Sequence, residues 1–262
     1  MWTREQLKNS AKDVLRRNYW MPFLASLLYG IMASFAGGSS GTSMPSFSFN
    51  FSAEELQNSE LWMLLEEWLD KIDPAQMFSF LALGGMAVVL IWLVGLIISL
   101  ALQCFVRGPL LVGHERYYIV NRDKDARIGE LFCAFSKKNY MNVALAHFTT
   151  TLLISLGSLV IVPGIIFTYK WFHVGRILAE NPTLTGKRAR EISDAMTDGE
   201  KLEIFVLGLS FIGWFLLGAL CCGVGTLFVT PYQQATFAEL YAVQRQKVLD
   251  AGLATAEELP GV

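Results

Sequence analysis

The side chains able to do chemistry are few and scattered. Three histidines, His114, His147 and His173, form no H-E-x-x-H pattern and no i, i+4 pair, so the two-imidazole face of a zinc protease is missing. The four cysteines show no C-x-x-C. Cys221 and Cys222 are adjacent, which suits neither a disulfide nor shared metal ligation, and Cys104 and Cys133 read as small apolar residues. Gly37-Gly38-Ser39-Ser40-Gly41 formally matches G-x-S-x-G, but that motif works only on a strand-to-helix elbow, and here it is a Gly/Ser tract after an apolar run. P-loop and dinucleotide fingerprints are absent. The expectation is a non-enzymatic chain with no catalytic residue, no metal ligand and no cofactor.

What remains is charge in apolar surroundings. Lys170 follows Pro163 by seven residues, about 10 Å along a helix, and Glu239 follows Pro231 by eight. Desolvating either alone is expensive; a Lys170–Glu239 pair, or Glu239 with Arg107 or Arg176, would remove much of that penalty. Two readings stand. One is a polar site at the cytoplasmic end of a helix bundle for an ion, a lipid headgroup or a proton, and the other is snorkelling with an interfacial ion pair.

The elements that position these groups belong to a membrane protein. The apolar set makes up 53% of the 262 residues and charged residues only 17%, with a mean hydropathy of +0.41. Disorder and coiled coil are excluded, and 21 basic against 23 acidic residues leave no bulk charge for nucleic-acid binding. Four stretches without Asp, Glu, Lys or Arg lie between Arg17 and Glu54, Asp73 and Arg107, Lys138 and Lys170, and Glu203 and Glu239. Each is 31 to 36 residues long. A hydrocarbon core needs roughly 20.

Basic residues set the topology, since Lys and Arg accumulate on the cytoplasmic side. Residues 37–75 carry seven acids and one lysine, which reads as an external loop. The third and fourth stretches break at Gly157 with Pro163-Gly164, and at Gly218 with Gly223-Val224-Gly225. Treating each as a hairpin leaves 20 of 21 basic residues inside. Four single spans would move six of them outside. The expected fold is therefore all-α and polytopic. It has six transmembrane helices as three hairpins, near 19–36, 77–105, 140–157, 160–179, 203–220 and 224–243, with both termini cytoplasmic. Residues 1–249 form one membrane domain and 250–262 a flexible tail.

Amphipathic segments flank the spans. Residues 3–17 predict a helix, because Thr3 and Gln6 have capping-box spacing and Leu7, Ala11, Val14 and Leu15 share a face. It either lies on the anionic inner leaflet or extends into solvent. Residues 127–137 and 185–200 predict two more cytoplasmic amphipathic helices, resting on acyl chains or on the bundle. Lys8, Lys12, Arg16, Arg17, Lys187 and Arg188 are the candidates for lipid headgroups. In the external loop, an acidic stretch from Glu54 to Leu69 reads as packing on the outer ends of the spans or as a partner-binding lid. Basic residues ahead of an apolar run also resemble a signal peptide, but that run is long enough to span, so an uncleaved first helix is expected. Each hairpin ends in a returning helix with a Pro or aromatic pivot followed by polar groups, as in Gly108-Pro109, Trp171 and Pro231-Tyr232. Tandem repetition and an interfacial aromatic belt both explain this.

Three blocks carry a family resemblance. They are Leu7-Lys8-x-x-Ala11-Lys12-x-x-Leu15-x-x-Asn18-Tyr19-Trp20; Ala179-Glu180-Asn181-Pro182 with Ser193-x-x-Met196-x-x-Gly199; and Phe211-Ile212-Gly213-Trp214 through Gly223-Val224-Gly225-x-Leu227, Pro231-Tyr232 and Ala238-x-x-Tyr241. The chain resembles domain-of-unknown-function family 975, and the last block is the most specific. Asp198-Gly199-Glu200 departs from the family, where a basic residue is expected before the glycine, and this weakens an electrostatic role there. The resemblance implies a multi-pass protein of a bacterial plasma membrane and supplies no catalytic residues.

Two functions follow as expectations. The first is a non-enzymatic envelope scaffold, lipid-interacting or complex-assisting protein, with membrane lipids and other membrane proteins or a second copy as partners, and no nucleic acid. The second is a small-solute transporter or channel using the polar site at the cytoplasmic side. A cavity lined by Lys170 and Glu239 favours transport; a plugged bundle with a lateral lipid groove favours the first.

Overall fold

The structure is a computed structural model that describes residues 2–35, 74–136, 138–220 and 223–261, with side chains described from residue 83 onward in the helix that starts at Pro74. No strand occurs among the described residues, and the protein is all-α. The Gly/Ser tract, the acidic stretch Glu54 to Leu69 and the Cys221-Cys222 pair lie outside them. The chain forms two compact units, Met1–Thr42 with Ala101–Val262, and Ser43–Leu100, where the sequence leads to a single domain.

In the second unit the described residues belong to one helix, α3 (Pro74–Leu102). Leu83, Ile91 and Trp92 are among its exposed side chains. A helix that is apolar all round is either the core helix of a large protein or a membrane span.

The first unit begins with α1 (Arg4–Arg17) and α2 (Trp20–Phe35). Thr3 caps α1 in a reciprocal box: Gln6 N donates to Thr3 Oγ1 at 3.3 Å, and Thr3 N donates to Gln6 Oε1 at 3.1 Å. Leu7, Ala11 and Leu15 bury its apolar face in the protein, so α1 is neither a free extension nor a helix whose apolar face lies in lipid. A π-helical turn, Gln103–Arg107, leads into α4 (Gly108–Asp123), which is buried along most of its length. The segment Ile128–Phe135 is 3-10 helix rather than α-helix. It lies so close to α4 that a side chain at Gly113 would overlap the Leu131 carbonyl.

The remaining helices are α5 (Tyr140–Gly157), α6 (Ile161–Lys170), α7 (Val174–Glu180), α8 (Gly186–Thr197), α9 (Lys201–Leu209), α10 (Ile212–Leu220) and α11 (Val224–Asp250). The expected turns are present. A Cβ on Gly164 would stand 2.6 Å from Ser158 Cα, and Gly223 adopts φ of 78°, a left-handed conformation that favours glycine. Two expected helices are interrupted. The segment 160–179 breaks at Trp171–His173 and 203–220 breaks at Ser210–Phe211, whereas α11 runs through Pro231 without a break.

The packed core gathers α4, α7, α8 and the second half of α11 around Ile177, Ile192, Met196 and Tyr241. At the hairpin tips the pattern reverses: Leu159 is 81% exposed, Ile161 77% and Leu220 81%. Burying a leucine or isoleucine is worth roughly 1.5–3 kcal/mol, so leaving several in water would be a large penalty. Among the described residues two helical stretches are long and apolar enough to cross a membrane, Leu83–Asp123, which runs through the π-helical turn, and Lys201–Leu220, which takes in the break at Ser210–Phe211, and α2 is a shorter apolar helix.

The expectation of a flexible tail from residue 250 is corrected by packing. Ala254 and Leu259 are buried in the main core. Asn181 Nδ2 donates to the Glu257 and Glu258 carbonyls at 3.2 and 3.1 Å, and Arg188 grips the Glu258 carboxylate at 2.7 and 3.2 Å. Ala254 and Leu259 sit five apart in a segment with no helical period, which leaves too weak a pattern to announce that docking.

Candidate functional site

The four residues expected to cluster are dispersed. Lys170 pairs with Asp194 at 3.0 Å, on the neighbouring α8. Glu239 pairs with Arg122 at 3.4 Å, at the end of α4. Arg176 faces Glu115 at 3.7 Å. Arg107 closes the π-helical turn beside Tyr29. Lys170, Glu239 and Arg176 are each paired with an opposite charge on another element, and the Lys170–Glu239 pairing is replaced by two separate ion pairs.

The polar interior is built instead on three glutamates. Glu115 and Arg176 are both nearly buried, and the absence of a side chain at Gly175 leaves room for the Glu115 carboxylate. The Arg176 guanidinium also lies over the Phe172 and Phe237 rings, 5.1 and 5.7 Å from their centroids. Glu180 accepts from Tyr241 OH, from Arg245 Nε at 2.8 Å and from Gly261 N at 2.6 Å. Glu200 accepts from Trp2 Nε1, Gln244 Nε2 and Lys247 Nζ, each at 2.7 Å. Burial pushes the Glu200 carboxyl up, but the Lys247, Gln244 and Trp2 donors outweigh it and hold the group below the usual carboxylate range.

Hydrogen bonds fix the orientation of the central side chains. Because Gln244 Nε2 donates to Glu200, its Oε1 faces His173 Nε2 at 2.6 Å, so that nitrogen carries the proton. His173 N donates to Ser193 Oγ at 3.1 Å, and Ser193 Oγ donates to the Lys170 carbonyl at 3.0 Å. Glu115 Oε2 and His173 Nδ1 are buried with no hydrogen-bond partner among the described residues.

Among the described residues one serine hydroxyl lies near a histidine ring, Ser26 Oγ to His114 Nε2 at 3.4 Å. The shorter contact is to Tyr118 OH at 2.7 Å, and Tyr118 itself donates to the Pro22 carbonyl at 3.0 Å. Ser26 therefore gives its proton to Tyr118, a structural bond joining α2 to α4, rather than to a general base.

The six headgroup candidates divide by engagement. Arg17 donates to the Asn121 and Arg122 carbonyls at 2.9 and 2.7 Å, and Arg188 is held by Glu258, so both serve the fold. Lys8 reaches the Ser210 carbonyl at 3.5 Å and sits over the Phe211 ring. Lys187 is exposed on α8. Lys12 and Arg16 border a groove of about 570 Å³ whose other walls are Leu15, Tyr19, Trp214, Phe228, Val229 and Tyr232. A separate recess holds Arg122 and Glu239 with Gln246, Lys247 and Asp250.

Sequence reasoning missed the hubs, although their signal was in the motifs. Glu180 of Ala179-Glu180-Asn181-Pro182 meets Tyr241 of Ala238-x-x-Tyr241. Gly199 adopts φ of 75°, and the Glu200 beside it, in the block where the family departure weakens an electrostatic role, is the acceptor of three donors. The family model described as Protein of unknown function (DUF975) matches residues 74–247. No curated protein and no solved structure matches the chain.

Proposed function

We propose, for a chain that belongs to the DUF975 family of proteins of unknown function, a non-enzymatic role in a bacterial plasma membrane as a lipid-interacting or complex-assisting scaffold. Six apolar segments enter as three hairpins, with both ends of the chain on the cytoplasmic side. The observation that carries this reading is the division of the first unit into an end whose charges pair internally and hairpin tips whose leucines and isoleucines face outward. The groove lies on the flank between α1 and the last hairpin, while Lys170 and Glu239 are held in separate ion pairs, with Asp194 and Arg122. That combination favours lipid contact over solute passage.

Movement of a proton or small solute is the second reading. It draws on one observation, that Glu115 Oε2 and His173 Nδ1 are, with Tyr117 OH, buried atoms that lack partners among the described residues.

Cysteine labelling in intact cells tests the topology, using a chain whose native cysteines are replaced. Thr183→Cys is expected to be shielded from an impermeant thiol reagent, and Ser158→Cys, at a hairpin tip, to be labelled. Labelling of Thr183→Cys sinks the orientation. Protection of Ser158→Cys sinks the six-span arrangement and leaves hairpins that enter and leave from one side. Release of the chain by alkaline carbonate sinks the membrane reading altogether.

A further inference from the structure

We infer that the groove between α1 and the α10–α11 hairpin is a binding site for one acidic phospholipid, with its phosphate on Lys12 and Arg16 and an acyl chain along Trp214, Phe228 and Val229. The inference rests on the membrane reading and not on how deep the hairpins reach.

Charge complementarity selects the headgroup. Lys12 and Arg16 are one helical turn apart and both border the groove, whose lining contains no carboxylate among the described residues. Lys12 has no ion-pair partner among the described residues. Among the described residues Arg16 pairs only with Asp13 at 3.2 Å, with both side chains mostly in solvent, an arrangement that leaves its charge available. The same flank of α1 carries Arg4 and Lys8. The Lys8 ammonium is held below its usual range by burial and then by repulsion from Arg4 and Lys12, so the field there is positive and a phosphodiester would relieve it.

The walls select the tail. Leu15, Trp214, Phe228 and Val229 are apolar, and Tyr19 and Tyr232 place aromatic rings with polar tips where headgroup and acyl chain meet. Tyr19 is itself anchored, since its hydroxyl donates to the Phe228 carbonyl at 2.9 Å. Phe23 stacks on Phe228 with centroids 4.9 Å apart, which stiffens the wall. Trp214 and Phe228 are 54% and 44% exposed, large rings that an acyl chain would cover. The volume of about 570 Å³ falls within the roughly 300–1,000 Å³ of small-molecule sites.

Native mass spectrometry of the full chain tests the site, with the protein extracted in detergent and offered phosphatidylglycerol and phosphatidylcholine at equal concentration. One retained phosphatidylglycerol is expected in preference to phosphatidylcholine. Lys12→Gln and Arg16→Gln should each weaken retention about fivefold, and the double variant about twenty- to thirtyfold. Trp214→Ala should weaken both lipids alike. Lys187→Gln, remote from the groove, should retain the lipid as the wild type does. Equal retention by the double variant and the wild type overturns the site, as does equal binding of the two lipids or an equal loss in Lys187→Gln. Any of these leaves the membrane reading standing, because carbonate extraction tests that separately.

Discussion

Gly218 and Gly225 bring the arms of the last hairpin into backbone contact: a Cβ on Gly225 would stand 2.6 Å from Gly218 Cα, and one on Gly218 would stand 2.7 Å from the Gly225 carbonyl carbon. Backbone cannot swing aside as a side chain can. Small residues at such crossings let two helices approach and gain dispersion contacts along their length.

Gly218→Ala and Gly225→Ala are each expected to destabilise by about 1–3 kcal/mol through overpacking. Thermal melting in detergent should fall by about 3–8 °C. Gly208→Ala is the contrasting control. Nothing lies within 4 Å of its Cβ, and alanine is the better helix former, so its melting temperature should hold or rise. A fall in all three variants alike would contradict the close-approach argument.

Docking of the C-terminal segment depends on pH. Arg188, followed by the Thr255 backbone N–H, holds the Glu258 carboxyl down from 4.5 to about 2. A depressed carboxylate stabilises the folded state above its unfolded value and ceases to do so on protonation. The contribution is thus present above pH 4.5 and lost as pH falls toward about 2. A spin label at Glu257→Cys should be immobile at pH 6 and loosen across that window. In Arg188→Gln it should be mobile throughout, and mobility independent of both changes would count against the clasp.

Removing the Glu200 carboxylate should release three parts of the chain together. Trp2, Gln244 and Lys247 each lose an acceptor, and hydrogen bonds to a charged group are worth about 1.5–3 kcal/mol each before relaxation. Glu200→Ala is expected to destabilise by about 2–4 kcal/mol, with faster amide exchange in residues 3–10 as well as around 244–247. Protection that persists in the first helix would show that Trp2 does not anchor it.

Lys170 and Glu239 should behave as strangers. Because each has its own partner, the stability changes of Lys170→Met and Glu239→Gln are expected to add within about 0.5 kcal/mol. Lys170→Met with Asp194→Asn should instead be non-additive, since those two groups touch at 3.0 Å. A coupling between Lys170 and Glu239 above 1 kcal/mol, measured in the same cycle, would revive the direct pair.

Local signals in the chain were read well, because they are decided within a few residues. Thr3 with Gln6 announced the first cap, Gly223 the left-handed turn, and Leu131 with Ile192 the buried faces of their amphipathic segments. Ion-pair partners were read poorly. Whether Lys170 meets Glu239 or Asp194 depends on the rotation of one helix against another, which no periodicity encodes. The Glu180 and Glu200 hubs were hidden for a related reason: each gathers donors from segments tens to hundreds of residues away, and only the folded chain brings them together. The breaks at Trp171–His173 and Ser210–Phe211 contain neither proline nor glycine, so nothing in their composition marks them.

The first helix buries Leu7 in a cluster with Ile204, Phe211 and Leu240, and Trp2 bonds to a glutamate 198 residues later. Order of synthesis and order of assembly are therefore opposed. The ribosome releases this helix long before its seat exists, and during that interval its apolar face must be held by lipid or by a chaperone. Its docking therefore has to wait for Ile204, Phe211 and Leu240 to be in place.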